Sequence, residues 1–221
     1  MKGPVITKDC VKTLLETKYI KVYDLQYEEG RHYYDATRRE LSDLTAVKTD
    51  EEFRGMLPDA VSCCVVLRTP GEEPRLLLSY EYRYPCGRFL LSPPAGLIDA
   101  KDKGAEDALI RTAIREIREE TGLDVKPSDR IYVANPCVFS SPGMTDECNA
   151  MVCAVVDVPD LSMLDQSGAE GTEAFDGFLL PDRKEAEDIL RRGRDPQGFY
   201  YSVFTWVVLA WFAGGFWEKD L

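Results

Sequence analysis

The segment "REIREETGL", Arg115 to Leu123, places Glu116, Glu119 and Glu120 within two helical turns and then stops at a glycine. At about 100° per residue, with Glu116 set at zero, Leu109, Ala113, Ile117, Ile110 and Ile114 occupy an arc of about 20° to 160°. Arg111, Arg118 and Arg115 fall on the far side, at about 200° to 260°. Glu120, near about 40°, lies in the margin of the apolar stripe, and Glu116 borders it. Glu119, near about 300°, stands just outside, beside Arg115.

Two carboxylates four residues apart on the shoulder of a buried face repel one another and are partly desolvated. That arrangement costs free energy unless a proton or a cation sits between them. A hard divalent ion with oxygen ligands suits such a pair, and magnesium or manganese suits it better than zinc. The competing reading is an ordinary amphipathic helix whose glutamates pair with Arg111, Arg115 and Arg118.

The elements around this helix must position it. The helix is predicted from about Ala105 to Thr121, with Gly122 and Leu123 as its stop and apolar partner. Residues 17–27 and 32–41 read as two strands joined by "EEGR". "AVSCCVVLR" and "RLLLSYEYRY" read as buried strands around the turn "TPGEEP", and "PCGR" and "SPPAGLID" as loops. "IYVANPCVF" and "NAMVCAVVDV" flank the loop "SSPGMTDE"; "AFDGFLLP" is a short strand, and "DRKEAEDILRRG" a charged helix with a glycine stop. Strands mixed with three helices predict an α/β (α+β) sandwich. Residues 1–57 form a small strand-rich lobe, and residues 58–221 the main domain.

Composition narrows the partners. The 221 residues carry 27 Lys plus Arg against 39 Asp plus Glu, a net charge of −12, which repels nucleic acid and anionic membranes at long range. A phosphate-bearing ligand therefore needs a metal or a few aimed arginines. The seven cysteines include an adjacent pair, Cys63 and Cys64, and no C-x-x-C, which reads as reduced, cytoplasmic thiols. With His32 the only histidine, neither His-ligated zinc nor a His-based triad is expected. The start lacks the apolar core of a signal peptide, and "FYYSVFTWVVLAWFAGGFW" is expected to be a buried terminal helix, not a membrane span.

Taken with what precedes it, "GLIDAKDKGAEDALIRTAIREIREETGL" resembles the Nudix box, whose second half is R-E-x-x-x-E-E-x-G followed by an apolar residue. Arg115, Glu116, Glu119, Glu120, Gly122 and Leu123 match; the stretch from Gly96 to Arg115 is about five residues longer than usual. The acidic residue expected in that stretch is Asp102, Glu106 or Asp107. "EYRYPCGRFLLSPPAGLID" and "SSPGMTDE" are similar to segments of the ADP-ribose pyrophosphatase branch, with Ser92 where that branch often has a glutamate. The resemblance implies a Nudix-type α/β/α sandwich with a mixed sheet, its N-terminal lobe taking part in a swapped homodimer.

It also implies hydrolysis of the pyrophosphate bond of a nucleoside diphosphate sugar, ADP-ribose foremost, giving AMP and ribose 5-phosphate. Under that resemblance Glu116, Glu119, Glu120 and the Ala95 carbonyl hold Mg2+ or Mn2+, with Glu119 in the catalytic cluster. Gly96 lets that backbone approach closely. The general base comes from "QSGAEGTEAF", where Glu170 and Glu173 are the candidates. Arg83 holds the diphosphate unless Glu81 or a helix acid takes it as an ion pair. Tyr19 and Tyr34 stack on the base, unless they simply pack in their strands, with Arg39 nearby and Glu147 touching the ribose. Other readings are hydrolysis of GDP-mannose or ADP-glucose, or a nucleotide-sensing module without catalysis.

Overall fold

Val11–Glu16 (β1), Lys21–Glu28 (β2) and Arg31–Thr37 (β3) form an antiparallel sheet in the order β1-β2-β3. Gly30, at φ 70°, makes the β2–β3 turn that a side chain would strain. Tyr23, Leu25 and Leu44 are the core behind this sheet, covered by Ile6, Val11, Leu41, Ala46 and Val47. Asp50–Arg54 (α1) starts on a capping box between Thr49 and Glu52. The computed structural model describes residues 3–168 and 173–219. Within it the chain divides into two units, one of residues 1–59 with 137–149, the other of 60–136 with 150–221.

The first unit is thus discontinuous. The loop between Arg130–Phe139 (β8) and Cys148–Asp157 (β9) joins the N-terminal sheet by specific bonds. The Tyr33 hydroxyl donates to the Gly143 carbonyl at 2.7 Å, Ala36 N–H donates to Met144 O at 3.1 Å, and Asp146 N–H donates to Asp35 Oδ1 at 3.1 Å.

In the second unit, Ala60–Arg68 (β4), Arg75–Arg83 (β5), Arg88–Ser92 (β6), Ala95–Leu97 (β7) and Phe175–Leu179 (β10) join β8 and β9. The sheet runs β10-β5-β4-β9-β8, with β6 on β5 and β7 on β4. Residues 60–67 of β4 are all buried, so both faces of this strand are covered. Ala108–Thr121 (α2) packs on β4 and β7; Val203–Ala213 (α4) packs on β4 and β6, and Arg183–Arg192 (α3) on α4 and β5. The adjacent Cys63 and Cys64 show the two faces. Cys63 feels the charges of Glu116 and Glu120, whereas the Cys64 thiol lies 4.0 Å from Val208 O on α4. The result is a helix–sheet–helix sandwich, the α/β class expected.

Details differ from the sequence expectation where prolines and glycines mask strands. "SPPAGLID" is not all loop: β7 pairs with β4 in the register Ser62↔Ala95, Val61↔Gly96, Ala60↔Leu97. β6 returns along β5 after the tight turn at Gly87, φ 64°. β1, unmarked by alternation because it is exposed almost throughout, was not expected. α2 begins at Ala108 and not Ala105, since 102–105 is held in turns by Asp102 N–H on Asp99 O and Ala105 N–H on Asp102 O. The terminal aromatic stretch forms α4, with Thr205, Val208, Leu209 and Phe212 buried. Among the described residues no helix is long and apolar enough to cross a membrane.

Candidate functional site

α2 turns a different arc inward than the isoleucines alone suggest. Its buried residues are Ala108, Thr112, Ala113, Glu116, Ile117, Glu120 and Thr121, while Ile110 and Ile114 are only partly covered. Glu116 is 5% exposed and Glu120 3%, so both carboxylates are deeper than a bordering position implies. Gly122 at φ 73° ends the helix, its N–H on Arg118 O. The loop after β9 docks on this end through Asp165 N–H on Thr121 O at 3.0 Å.

β7 brings backbone to the carboxylates. Ala95 N–H donates to Glu120 Oε2 at 3.3 Å. At position 96 a β-carbon would lie 1.9 Å from Glu116 Oε1, so any side chain there would push the Glu116 carboxylate aside. Arg115 crosses the rim: it meets Glu116 Oε1 at 2.7 Å and Glu119 Oε2 at 2.8 Å, and donates to Leu97 O at 3.0 Å. Part of the competing arginine-paired reading is therefore present, but Arg111 and Arg118 turn elsewhere, to Asp102 and Asp124.

The electrostatics are those of crowded, buried acids. Burial pushes the Glu116 carboxyl up from 4.5 to about 7, with Glu119 and Glu173 adding to the rise and Arg115 opposing it. Burial likewise holds Glu120 well above its ordinary value, and Glu81, Glu116 and Glu173 reinforce this against the Ala95 N–H. Among the described residues no three His, Cys, Asp or Glu side chains already converge as a metal cage. The donor set nonetheless fits a hard divalent cation: it is all oxygen, Gly96 opens a cradle that a β-carbon would fill, and Glu120 meets only a backbone N–H among its opposing influences.

Of the two base candidates, Glu170 lies outside the described residues. Glu173 is described, and its charge acts on Glu81, Glu116 and Glu120. Arg83 takes the alternative foreseen for it: its Nη2 is 2.5 Å from Glu81 Oε2 and 3.4 Å from the Ser92 hydroxyl. Its side chain remains 42% exposed, leaving further N–H donors for a ligand. Of the three acids proposed for the lengthened segment, Asp102 is buried and lies 3.6 Å from Arg111, while Glu106 and Asp107 are exposed.

Tyr19, Tyr34, Arg39 and Glu147 belong to the first unit. Tyr34 on β3 and Tyr19, which lies on the bend between β1 and β2 and not in the strand expected over 17–27, are 57% and 69% exposed. Arg39, expected near the ligand, has internal partners. It is 8% exposed, with its guanidinium on Asp59 at 3.0 Å, Asp43 at 3.1 Å, Asp146 at 3.7 Å and Leu57 O at 3.2 Å. Glu147 meets Arg38 Nε at 3.4 Å. Sequence reasoning passed over Glu81 except as a partner for Arg83; its signal was an acid inside a strand whose residues 76–80 are buried.

A family profile described as the NUDIX domain matches residues 56–192, more than half of the chain. A Caenorhabditis elegans protein named nudix hydrolase 2 is 36% identical over 99 residues, 45% of this chain and 40% of that protein. The Saccharomyces cerevisiae ADP-ribose pyrophosphatase is 29% identical over 172 residues, 76% of this chain and 68% of that one. The chain thus spans well under two thirds of the worm relative. A crystal structure titled ADP compounds hydrolase superposes with a TM-score of 0.53 at 17% identity, covering 93% of this chain and 92% of that one, a likeness of fold.

Proposed function

Because the chain belongs to the Nudix family, we propose that it is a Nudix hydrolase cleaving the pyrophosphate bond of a nucleoside diphosphate sugar, ADP-ribose foremost, to AMP and ribose 5-phosphate. The observation that carries this reading is the pair Glu116 and Glu120, buried four residues apart against the backbone of Ala95 and Gly96. The length of the match to the yeast ADP-ribose pyrophosphatase supports the choice of substrate.

Glu116 and Glu120, with the Ala95 carbonyl, would hold magnesium or manganese, and Glu119 completes the cluster. Bound there, the ion supplies charge neutralisation of the phosphoryl oxygens and a bound water of lowered pKa. Arg115 must then swing off Glu116, a movement its partly exposed side chain permits. Arg83 binds the diphosphate through the donors not spent on Glu81, giving a charge-assisted contact in an otherwise acidic chain. Glu173 or Glu170 accepts the proton of the attacking water. Tyr19 and Tyr34 offer exposed rings for the base, and Glu147 a carboxylate for the ribose. A homodimer in the cytoplasm, with no nucleic-acid or membrane partner, completes the proposal.

The test is a panel of ADP-ribose, ADP-glucose and GDP-mannose with magnesium or manganese, scoring AMP or GMP release. Fastest turnover of ADP-ribose is expected. Turnover of another member alone corrects the sugar, and no release from any member, with binding retained, identifies a sensing module. Elution as a monomer in gel filtration would remove the dimer.

A further inference from the structure

Glu81 is an acid in the wrong place for a structural strand. It sits on β5 beyond the buried run Leu76–Tyr80, with its side chain only 14% exposed. Period-two alternation puts Ser79, Glu81 and Arg83 on one face of β5. The register Ser79↔Ser92 and Glu81↔Leu90 makes Ser92 the diagonal neighbour of Glu81 on that same face. The Ser92 hydroxyl accepts from Arg83 Nη2 at 3.4 Å and opposes part of the rise that burial imposes on the Glu81 carboxyl. The charge of Glu81 acts on Glu120, so this face of β5 looks toward α2.

β5 and α2 each carry a further buried hydroxyl. Ser79 Oγ, 1% exposed, and Thr112 Oγ1, fully buried one turn before Glu116, have no hydrogen-bond partner among the described residues. Buried hydroxyls are normally satisfied. Ser79 lies two positions before Glu81 on β5 and Thr112 one turn before Glu116 on α2, where a ligand or a bound water can serve as their partner. Arg83, the cation on Glu81, reaches it from the exposed rim.

We propose that Glu81 shares a divalent cation with Glu120, so that the sheet supplies one carboxylate ligand and the helix the other. The assignment rests on the hydrolase reading above and adds to it a residue outside the α2 motif. It has a geometric corollary. Because positions 81 and 92 are diagonal neighbours on one face, a carboxylate from either strand reaches the same point.

The test is manganese titration of the full chain, reading free Mn2+ by electron paramagnetic resonance, with circular dichroism to verify folding. Wild type is expected to bind, and Glu81→Gln to bind about 10- to 100-fold more weakly, the range typical of lost support at a metal site. The double variant Glu81→Gln, Ser92→Glu is expected to recover most of the affinity. Should Glu81→Gln fail to fold, Glu81→Asp keeps the charge and shortens the reach, and weakened binding is again expected. Wild-type affinity in Glu81→Gln or Glu81→Asp, or no recovery in the double variant, overturns the Glu81 assignment while leaving the hydrolase reading intact. A wild-type chain that binds no manganese sinks both.

Discussion

Arg39 in the first unit and Arg115 in the second each meet several carboxylates, but they stand in different places. Arg39 is at the centre of its cluster, 8% exposed, with Asp43, Asp59 and Asp146 around it. Arg115 lies at the rim of its cluster, on Glu116 and Glu119, and the deepest acid, Glu120, is answered by a backbone N–H. The first arrangement gathers three carboxylates around one buried cation and holds a loop to a sheet. The second leaves its innermost charge to be answered from outside, which is how a binding site differs from a structural ion cluster.

That contrast breaks most sharply at Arg39. Arg39→Met strands Asp59 and Asp146 without their cation and is expected to destabilise the fold by about 3–5 kcal/mol, read as a lower midpoint in urea. Glu120→Gln is expected to do the reverse, lowering turnover by roughly 100-fold or more while metal-free stability at pH 8 holds or rises. Loss of stability comparable to that of Arg39→Met would make Glu120 a structural residue.

The pH dependence separates the two regions further. The Glu116 carboxyl titrates near 7 in the folded chain and near 4.5 unfolded, so between these values the folded state binds more protons. Stability of the metal-free protein therefore falls as pH rises from about 4.5 to about 7, by about 2 kcal/mol once solvent screening is allowed for. Asp35 in the first unit, pushed up to about 6 by burial and by Asp146, gives a fall of the same sign. Denaturant midpoints at pH 5 and pH 8, with EDTA or manganese, should show that the ion abolishes the Glu116 part and leaves the Asp35 part. An identical pH profile with and without manganese would refute a metal at Glu116. The smallest effect is expected at Gly96→Ala. The added carbon meets the end of a flexible glutamate, so turnover falls roughly 10-fold with little change in melting temperature.

The sequence was most legible where the relevant contacts are local. α2, its stop at Gly122 and α3 with its Asp182–Glu185 capping box all follow from neighbours within one turn. The strands β4 and β5 were legible from their unbroken apolar runs. β7 was not, because Pro93, Pro94 and Gly96 erase strand propensity and only pairing with β4 makes it one. Nothing local showed that Asp102, and not Glu106 or Asp107, would be the buried acid of the three. Nor did the loop "SSPGMTDE" carry any sign that it belongs with the N-terminal sheet, since Tyr33 and Gly143 are 110 residues apart.

The carboxylate row itself was set by the sequence alone. Helical geometry fixes the relation of Glu116 to Glu120 before any tertiary contact forms. Tertiary structure decided how deep that row lies, which backbone faces it, and that the charge of Glu81 on β5 acts on Glu120. It also decided that Arg39 is spent internally. Burial and strand register are properties of segments far apart in the chain, and a local pattern of residues does not encode which of them will meet.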